Sequence, residues 1–123
     1  MNGIPNEIDK IKVALFNKSH TSSMIKYLRD IDIESVAYKH GYSIAEIAEI
    51  FGYKKAWLYQ LIKLGKRFSD DILDTYKMGI LNETNVLPKE IVHQWIQAGI
   101  ITPESSQKEV RELVNEYRAN VDK

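Results

Sequence analysis

The sequence predicts an all-α protein, a multi-helix domain built around a tri-helical helix-turn-helix unit. Three observations lead to this fold class. Apolar residues recur at intervals of three and four residues along most of the 123-residue chain. Serine, aspartate or asparagine precedes most of these segments and glycine follows several of them, as at helix ends. Residues 43–63 also combine a capping box, a small residue, a glycine and apolar positions at the spacing of two helices that cross at a short turn.

Three helices are expected in the amino-terminal third of the chain. Asn6 is expected to cap the first, residues 21–23 offer caps for the second, and Asp32 precedes the third. The third helix ends at Gly41 and is expected to support the helix-turn-helix unit. The apolar positions of the first two helices are Ile8, Ile11 and Leu15, then Met24, Ile25 and Leu28.

The helix-turn-helix unit itself is expected to begin with a capping box formed by Ser43 and Glu46. Ala48 lies where the second helix crosses closest, so a small side chain is needed there. Gly52 falls at the turn, where a left-handed backbone is accessible to glycine. The second helix is expected over about 54–64. The apolar contacts between the two helices are expected from Ile47, Phe51, Leu58 and Leu61.

Three more helices are expected after the unit. Ser69 is expected to cap a helix with acidic residues in its first turn, which Gly79 ends. Pro88 suits the first turn of the next helix. Ser106 and Glu109 form a second capping box at the start of the final helix. The final helix carries an apolar stripe of Val110, Leu113, Val114, Tyr117 and Val121.

The charge distribution indicates a polyanionic partner for the helix-turn-helix unit. The whole chain carries 17 basic and 17 acidic residues. Residues 39–67 hold six basic and two acidic residues, a surplus of four positive charges. Residues 68–123 hold six basic and ten acidic residues, a surplus of four negative charges. Because the positive surplus coincides with the motif, it favours nucleic-acid binding by that motif.

The composition favours a binding protein over an enzyme. The chain has no cysteine, which excludes disulfides, thiolate catalysis and cysteine-ligated zinc. His20, His40 and His93 are far apart in sequence and lack metal-ligand neighbours at helical spacing. No phosphate-binding glycine loop or nucleophile motif is present. We therefore expect no catalysis, no cofactor, no metal and no small-molecule ligand.

The residues expected to contact DNA follow from the faces of the second helix of the motif. Leu58 and Leu61 point inward, so the opposite face is expected to point toward the major groove. The residues on or beside that face are Lys54, Lys55, Ala56, Tyr59, Gln60, Lys63, Lys66 and Arg67.

Each of these residue types has a known way of contacting a duplex. Gln60 can pair bidentately with adenine, and Ala56 can contact a thymine methyl group. Tyr59 can reach a base edge or a phosphate, and Lys55 can read guanine or bind phosphate. The other basic residues are expected to bind phosphate. For Trp57 two interpretations stay open, packing on a neighbouring helix or stacking on the sugar-phosphate backbone.

Residues 41–81 resemble the central DNA-binding domain of the ParB/KorB plasmid partition proteins. The resemblance rests on the helix-turn-helix, on Ser69-Asp70-Asp71-Ile72-Leu73 and on Gly79-Ile80-Leu81. It implies DNA binding by Lys54, Lys55, Ala56, Tyr59 and Gln60. The chain lacks the family's upstream nucleotide-binding portion with its arginine-rich box, so clamp formation and CTP hydrolysis are not implied.

A second resemblance competes with the first. Residues 42–67, followed later by the segment PKEIVHQWI at 88–96, are similar to excisionase-like winged-helix proteins of the MerR superfamily. That resemblance implies a winged helix-turn-helix with a small β-hairpin between residues 68 and 87. The apolar spacing in that segment favours a helix over alternating strands, so the all-helical fold is the preferred prediction.

The predicted function is sequence-specific binding of double-stranded DNA, as a transcriptional regulator or a partition or accessory factor of a plasmid, phage or conjugative element. One alternative is an excisionase-like or relaxosome accessory protein of a conjugative transfer system. An alternative from another class is a helical protein-interaction adaptor. No secretory leader or membrane-spanning run is recognisable, which predicts a cytoplasmic protein without a membrane partner.

The expected domain organisation has three parts. Residues 1–31 form a helical arm, residues 32–100 form the DNA-binding core, and residues 101–123 form the final helix. Two roles stay open for the apolar stripe of that helix. It either packs onto the core or joins two copies as a homodimer on two half-sites about one helical turn apart.

Overall fold

The computed structural model describes residues 3–121, and every regular element in that range is a helix. The predicted all-α fold class is therefore confirmed. Residues 68–87, where the alternative fold placed a β-hairpin wing, contain helix and turn and no strand. The parts of the predictions that concern residues 1–2 and 122–123 lie outside the described residues.

The helices fall into two compact units that divide the chain between Phe68 and Ser69. Unit 1 contains α1 (Asn6–Phe16), α2 (Thr21–Asp30), α3 (Ile33–Lys39), α4 (Ile44–Phe51) and α5 (Lys55–Arg67). Unit 2 contains α6 (Asp70–Thr75), α7 (Met78–Glu83), α8 (Lys89–Gln97) and α9 (Gln107–Val121). The grouping differs from the expected division into 1–31, 32–100 and 101–123, because α1 and α2 belong to the same unit as the helix-turn-helix segment.

Unit 1 has a core to which all five of these helices contribute apolar side chains. Within it α2 and α5 cross closely at Gly65. A Cβ added there would lie 3.2 Å from Arg29 Cβ and 3.3 Å from Ile25 Cγ2. Glycine inside a helix costs up to about 1 kcal/mol relative to alanine. The close crossing explains why glycine nevertheless occupies this position.

The amino-terminal helices begin one residue away from two of the predicted caps. α1 includes Asn6 as its first residue, and α2 begins at Thr21, without a side-chain cap in either case. The cap at Asp32 is confirmed. Its carboxylate accepts hydrogen bonds from the Ser35 backbone N–H at 3.4 Å and from the Ser35 hydroxyl at 2.6 Å. Asp32 has a φ of 53°, a conformation that aspartate tolerates better than branched residues do.

Unit 2 begins with two short helices, so the single helix predicted from Ser69 to Gly79 is wrong. Extended backbone at Tyr76 and Lys77 separates α6 from α7. Gly79 lies inside α7, where an added Cβ would come within 2.8 Å of Gln107 Oε1. Gly79 therefore lies within a helix and does not terminate one, and its contact is with the end of the flexible Gln107 side chain, a residue too distant in sequence to leave a local signal.

The later part of unit 2 follows the sequence pattern more closely. Pro88 immediately precedes α8, one position earlier than predicted, and Gly99 follows that helix with a φ of 74°. The second capping box is confirmed. The Ser106 N–H donates to Glu109 Oε1 and the Glu109 N–H donates to Ser106 Oγ, each at 3.0 Å.

α9 packs against α7 through only part of its predicted apolar stripe. Val110 and Val114 are buried, Leu113 and Tyr117 are half-buried, and Val121 is exposed. An ionic contact joins the same two helices. Glu83 of α7 accepts hydrogen bonds from Arg111 Nη2 at 2.9 Å and Gln107 Nε2 at 3.0 Å. These bonds, Arg111's first, hold the pKa of Glu83 below its ordinary value.

Candidate nucleic-acid interface

The helix-turn-helix begins with the capping box that the sequence predicts. The Glu46 N–H donates to Ser43 Oγ at 3.1 Å, and the Ser43 N–H donates to Glu46 Oε1 at 3.0 Å. Two backbone donors at the start of α4 are thereby satisfied. The capping box fixes where α4 begins relative to α3, which ends five residues earlier at Lys39.

The turn between α4 and α5 depends on Gly52, as predicted. Gly52 has φ 80° and ψ 24°, in the left-handed region. The Tyr53 N–H donates to Ala48 O at 2.8 Å, which closes the end of α4 in the manner of a Schellman motif. Nothing lies within 4 Å of a Cβ added at Gly52. The constraint at this position is therefore the backbone conformation and not a lack of space.

The four apolar positions and the small residue predicted at the α4–α5 crossing are all buried. Ala48, in the middle of α4, is 1 % exposed. The Phe51 and Tyr53 rings meet in a T-shaped contact with 6.2 Å between their centroids. The buried residues of the crossing are Ile47, Ala48, Phe51, Leu58 and Leu61.

Replacing Ala48 by leucine should lower the free energy of unfolding of unit 1 by about 1–3 kcal/mol, because three additional carbon atoms would be forced into packed space. Thermal unfolding measures the effect. Ala45→Leu on the same helix is the matched control and should cost less, because Ala45 is only half-buried. An unchanged melting temperature for Ala48→Leu would contradict the close crossing.

α5 runs over Lys55–Arg67, three residues further than predicted, with Lys54 at its amino-terminal cap position. Its apolar residues form one buried face, and the opposite face is polar. Leu58, Leu61 and Leu64 are each at most 1 % exposed. The exposed residues of the opposite face are Lys54, Lys55, Ala56, Tyr59, Gln60 and Lys63. We call these six residues the α5 surface.

The other two predicted DNA contacts, Lys66 and Arg67, follow the α5 surface along the chain. Lys66 is exposed, and its Nζ forms an ion pair with Glu34 Oε1 of α3. Arg67 is half-buried, with its guanidinium carbon 5.7 Å from the centroid of the Phe68 ring. Both lie in the last turn of α5, whereas the α5 surface covers its amino-terminal and central turns. Trp57 is half-buried, which leaves both of its interpretations open.

The ion pair between Lys66 and Glu34 was not foreseen from the sequence. The two residues are 32 positions apart, and their side chains are 62 % and 45 % exposed. Ion pairs as exposed as this one contribute little to stability. The lysine can therefore exchange Glu34 for another anion at small cost.

The histidines occupy helix ends and a half-buried helix position. His20 precedes α2, and His40 ends α3 with its Nε2 2.8 Å from Glu7 Oε1. The hydrogen bond from His40, together with that from Lys39, lowers the pKa of Glu7. Among residues 3–121, no group of three histidine or carboxylate side chains is arranged to hold a metal ion.

No helix within the described range combines the length and the apolar character needed to cross a membrane. Comparisons of the chain with protein-family models, with curated proteins and with solved structures found no match.

Proposed function

We propose that this chain is a sequence-specific double-stranded DNA-binding protein that inserts α5 into the major groove. The observation that carries the proposal is the asymmetry of α5. Its leucine face is buried in unit 1, and the α5 surface combines three lysines with a tyrosine and a glutamine. A helix about 10–12 Å across matches a major groove about 12 Å wide.

In this proposal the residues of the α5 surface divide into readers of bases and binders of phosphate. Gln60 and Ala56 lie four positions apart, one turn of helix, and read an adenine edge and a thymine methyl group. Tyr59 contacts a base edge or a phosphate. Lys55 reads guanine or binds phosphate, and Lys54 and Lys63 bind phosphates on either side.

The cellular role proposed is that of a transcriptional regulator or a partition or accessory factor of a plasmid, phage or conjugative element. The resemblance to the ParB/KorB domain supports this role through residues 43–63. The resemblance is weaker beyond residue 63, because α6 and α7 replace the single helix that was expected after the helix-turn-helix. A cytoplasmic location follows from a role on DNA. The adaptor alternative predicts that the α5 surface binds protein and not DNA.

Selection of bound duplexes from a random library, followed by titration, tests the proposal. We expect enrichment of one sequence and binding at least about 10³-fold tighter than to a scrambled duplex. The affinity for the selected duplex and for the scrambled duplex should fall steeply as the salt concentration rises. No enrichment, together with no retention of random duplex at low salt, would contradict DNA binding and favour the adaptor.

Lys66→Gln and Glu34→Gln should change DNA affinity in opposite directions. Loss of Lys66 removes a phosphate contact and should reduce the slope of log K against log salt by about 1, equally on specific and scrambled duplexes. Loss of the Glu34 charge releases Lys66 and should strengthen binding to both. Fluorescence anisotropy over a salt series measures the two slopes. If Lys66→Gln leaves the slope unchanged, Lys66 does not contact phosphate.

A further inference from the structure

Unit 2 has an open apolar groove alongside α9. Two adjoining depressions of about 380 and 220 Å³ share Ile100, Leu113 and Glu116 in their walls. Trp95 and Tyr117 line the smaller one, with ring centroids 5.8 Å apart and planes at 84°. Ile100 is 48 % exposed.

The rim of the groove is acidic. Glu109, Glu112 and Glu116 line the larger depression, and all three are exposed. Pairing this face of α9 with itself in a second copy would therefore gather six carboxylates around one apolar strip. Like charges brought together across an interface oppose association. The rim instead favours an apolar occupant that carries positive charge.

Unit 1 presents such an element on α1. Phe16 is 85 % exposed, and Val13, one turn earlier, is 53 % exposed. Lys10 and Lys12 lie beside them and are exposed, with Asp9 one turn before Val13. The local charge is therefore +1, opposite in sign to the rim of the groove. We call Val13, Phe16 and these two lysines the α1 ridge.

The sizes of ridge and groove also agree. A closed apolar cavity of roughly 150 Å³ is sufficient to hold benzene. Either depression is larger than this and open to solvent, so the Phe16 ring can lie against its lining. An aromatic anchor in an apolar pocket is the usual centre of a protein interface.

We propose that the α1 ridge of one copy of this chain docks into the unit 2 groove of a second copy. Such a contact is heterologous, because it joins two different surfaces, and each copy carries both of them. This arrangement takes the place of the predicted pairing through the stripe of α9, whose valines 110 and 114 are already buried in unit 2. The inference is independent of DNA binding, because both surfaces lie outside the α5 surface.

Sedimentation equilibrium of the full chain tests the contact. The parent protein is expected to dimerise, and Phe16→Glu and Ile100→Glu should each raise the dimer Kd about tenfold or more. The matched controls are Tyr38→Glu, at a residue 87 % exposed, and Val86→Glu, at a residue 59 % exposed. Both controls should leave the Kd unchanged, and circular dichroism confirms that all four variants are folded.

An equimolar mixture of Phe16→Glu and Ile100→Glu separates this dimer from other arrangements. Each variant keeps one of the two surfaces, so the ridge of the Ile100 variant can dock into the groove of the Phe16 variant. The mixture should therefore form heterodimers more readily than either variant forms homodimers. The proposal is overturned if the parent is monomeric at about 0.1 mM. It is equally overturned if both variants dimerise like the parent or if the mixture gains no heterodimer.

Discussion

Gln60→Ala should weaken binding to the selected duplex by about 1–3 kcal/mol, which is a loss of affinity of about 5- to 150-fold. The affinity for scrambled DNA should change little. The loss follows from removing a side chain that can form two hydrogen bonds from an exposed position on α5. Tyr59→Ala should behave in the same way if Tyr59 reaches a base edge. Titration of both duplexes by fluorescence anisotropy measures the discrimination directly.

Gln97→Ala is the matched control for this prediction. Gln97 is an exposed glutamine in α8, in the other compact unit. The Gln97→Ala variant should bind both duplexes with the affinity of the parent protein. If Gln60→Ala and Tyr59→Ala also bind like the parent, the assignment of α5 as the reading helix is wrong.

Removal of residues 106–123 should unfold unit 2. The deletion takes away Val110 and Val114, which are buried, and both hydrogen-bond donors to Glu83. Burial of one valine side chain is worth about 1.5–3 kcal/mol, so the two valines alone account for more than about 3 kcal/mol. Limited proteolysis should therefore cleave the truncated chain within residues 69–105, a region in which the full chain resists cleavage.

A finer version of the same test compares two valines of one helix. Val114→Ala should lower the free energy of unfolding by about 1–3 kcal/mol, because it leaves a cavity in the packed α7–α9 contact. Val121→Ala should change it by less than about 0.5 kcal/mol, because Val121 is exposed. Equal effects of the two substitutions would show that α9 does not pack as described.

The helix-turn-helix geometry could be predicted because local rules determine most of it. Each of its main features depends on residues at most a few positions apart. These features are the capping box of Ser43 and Glu46, the left-handed backbone of Gly52 and the opposite apolar and polar faces of α5. The fold class follows from the same periodicity. For the same reason, the six residues of the α5 surface could be selected from the sequence and are exposed together.

Features that depend on distant residues could not be predicted in this way. The division between Phe68 and Ser69 reflects which helices pack together. The contact of Gly79 in α7 with Gln107 in α9 likewise joins residues far apart in the sequence. The pairing of Lys66 with Glu34 also depends on how α3 and α5 lie in the folded unit. None of these contacts leaves a periodic signal in the sequence.

Recognition of DNA by α5 can be tested directly by NMR, in a titration of the isotope-labelled protein with its selected duplex. We expect the largest amide shift changes on residues 54–63, and we expect the side-chain amide of Gln60 to shift only with the selected sequence. Changes confined to residues 69–121, or no change with any duplex at low salt, would contradict DNA recognition by α5.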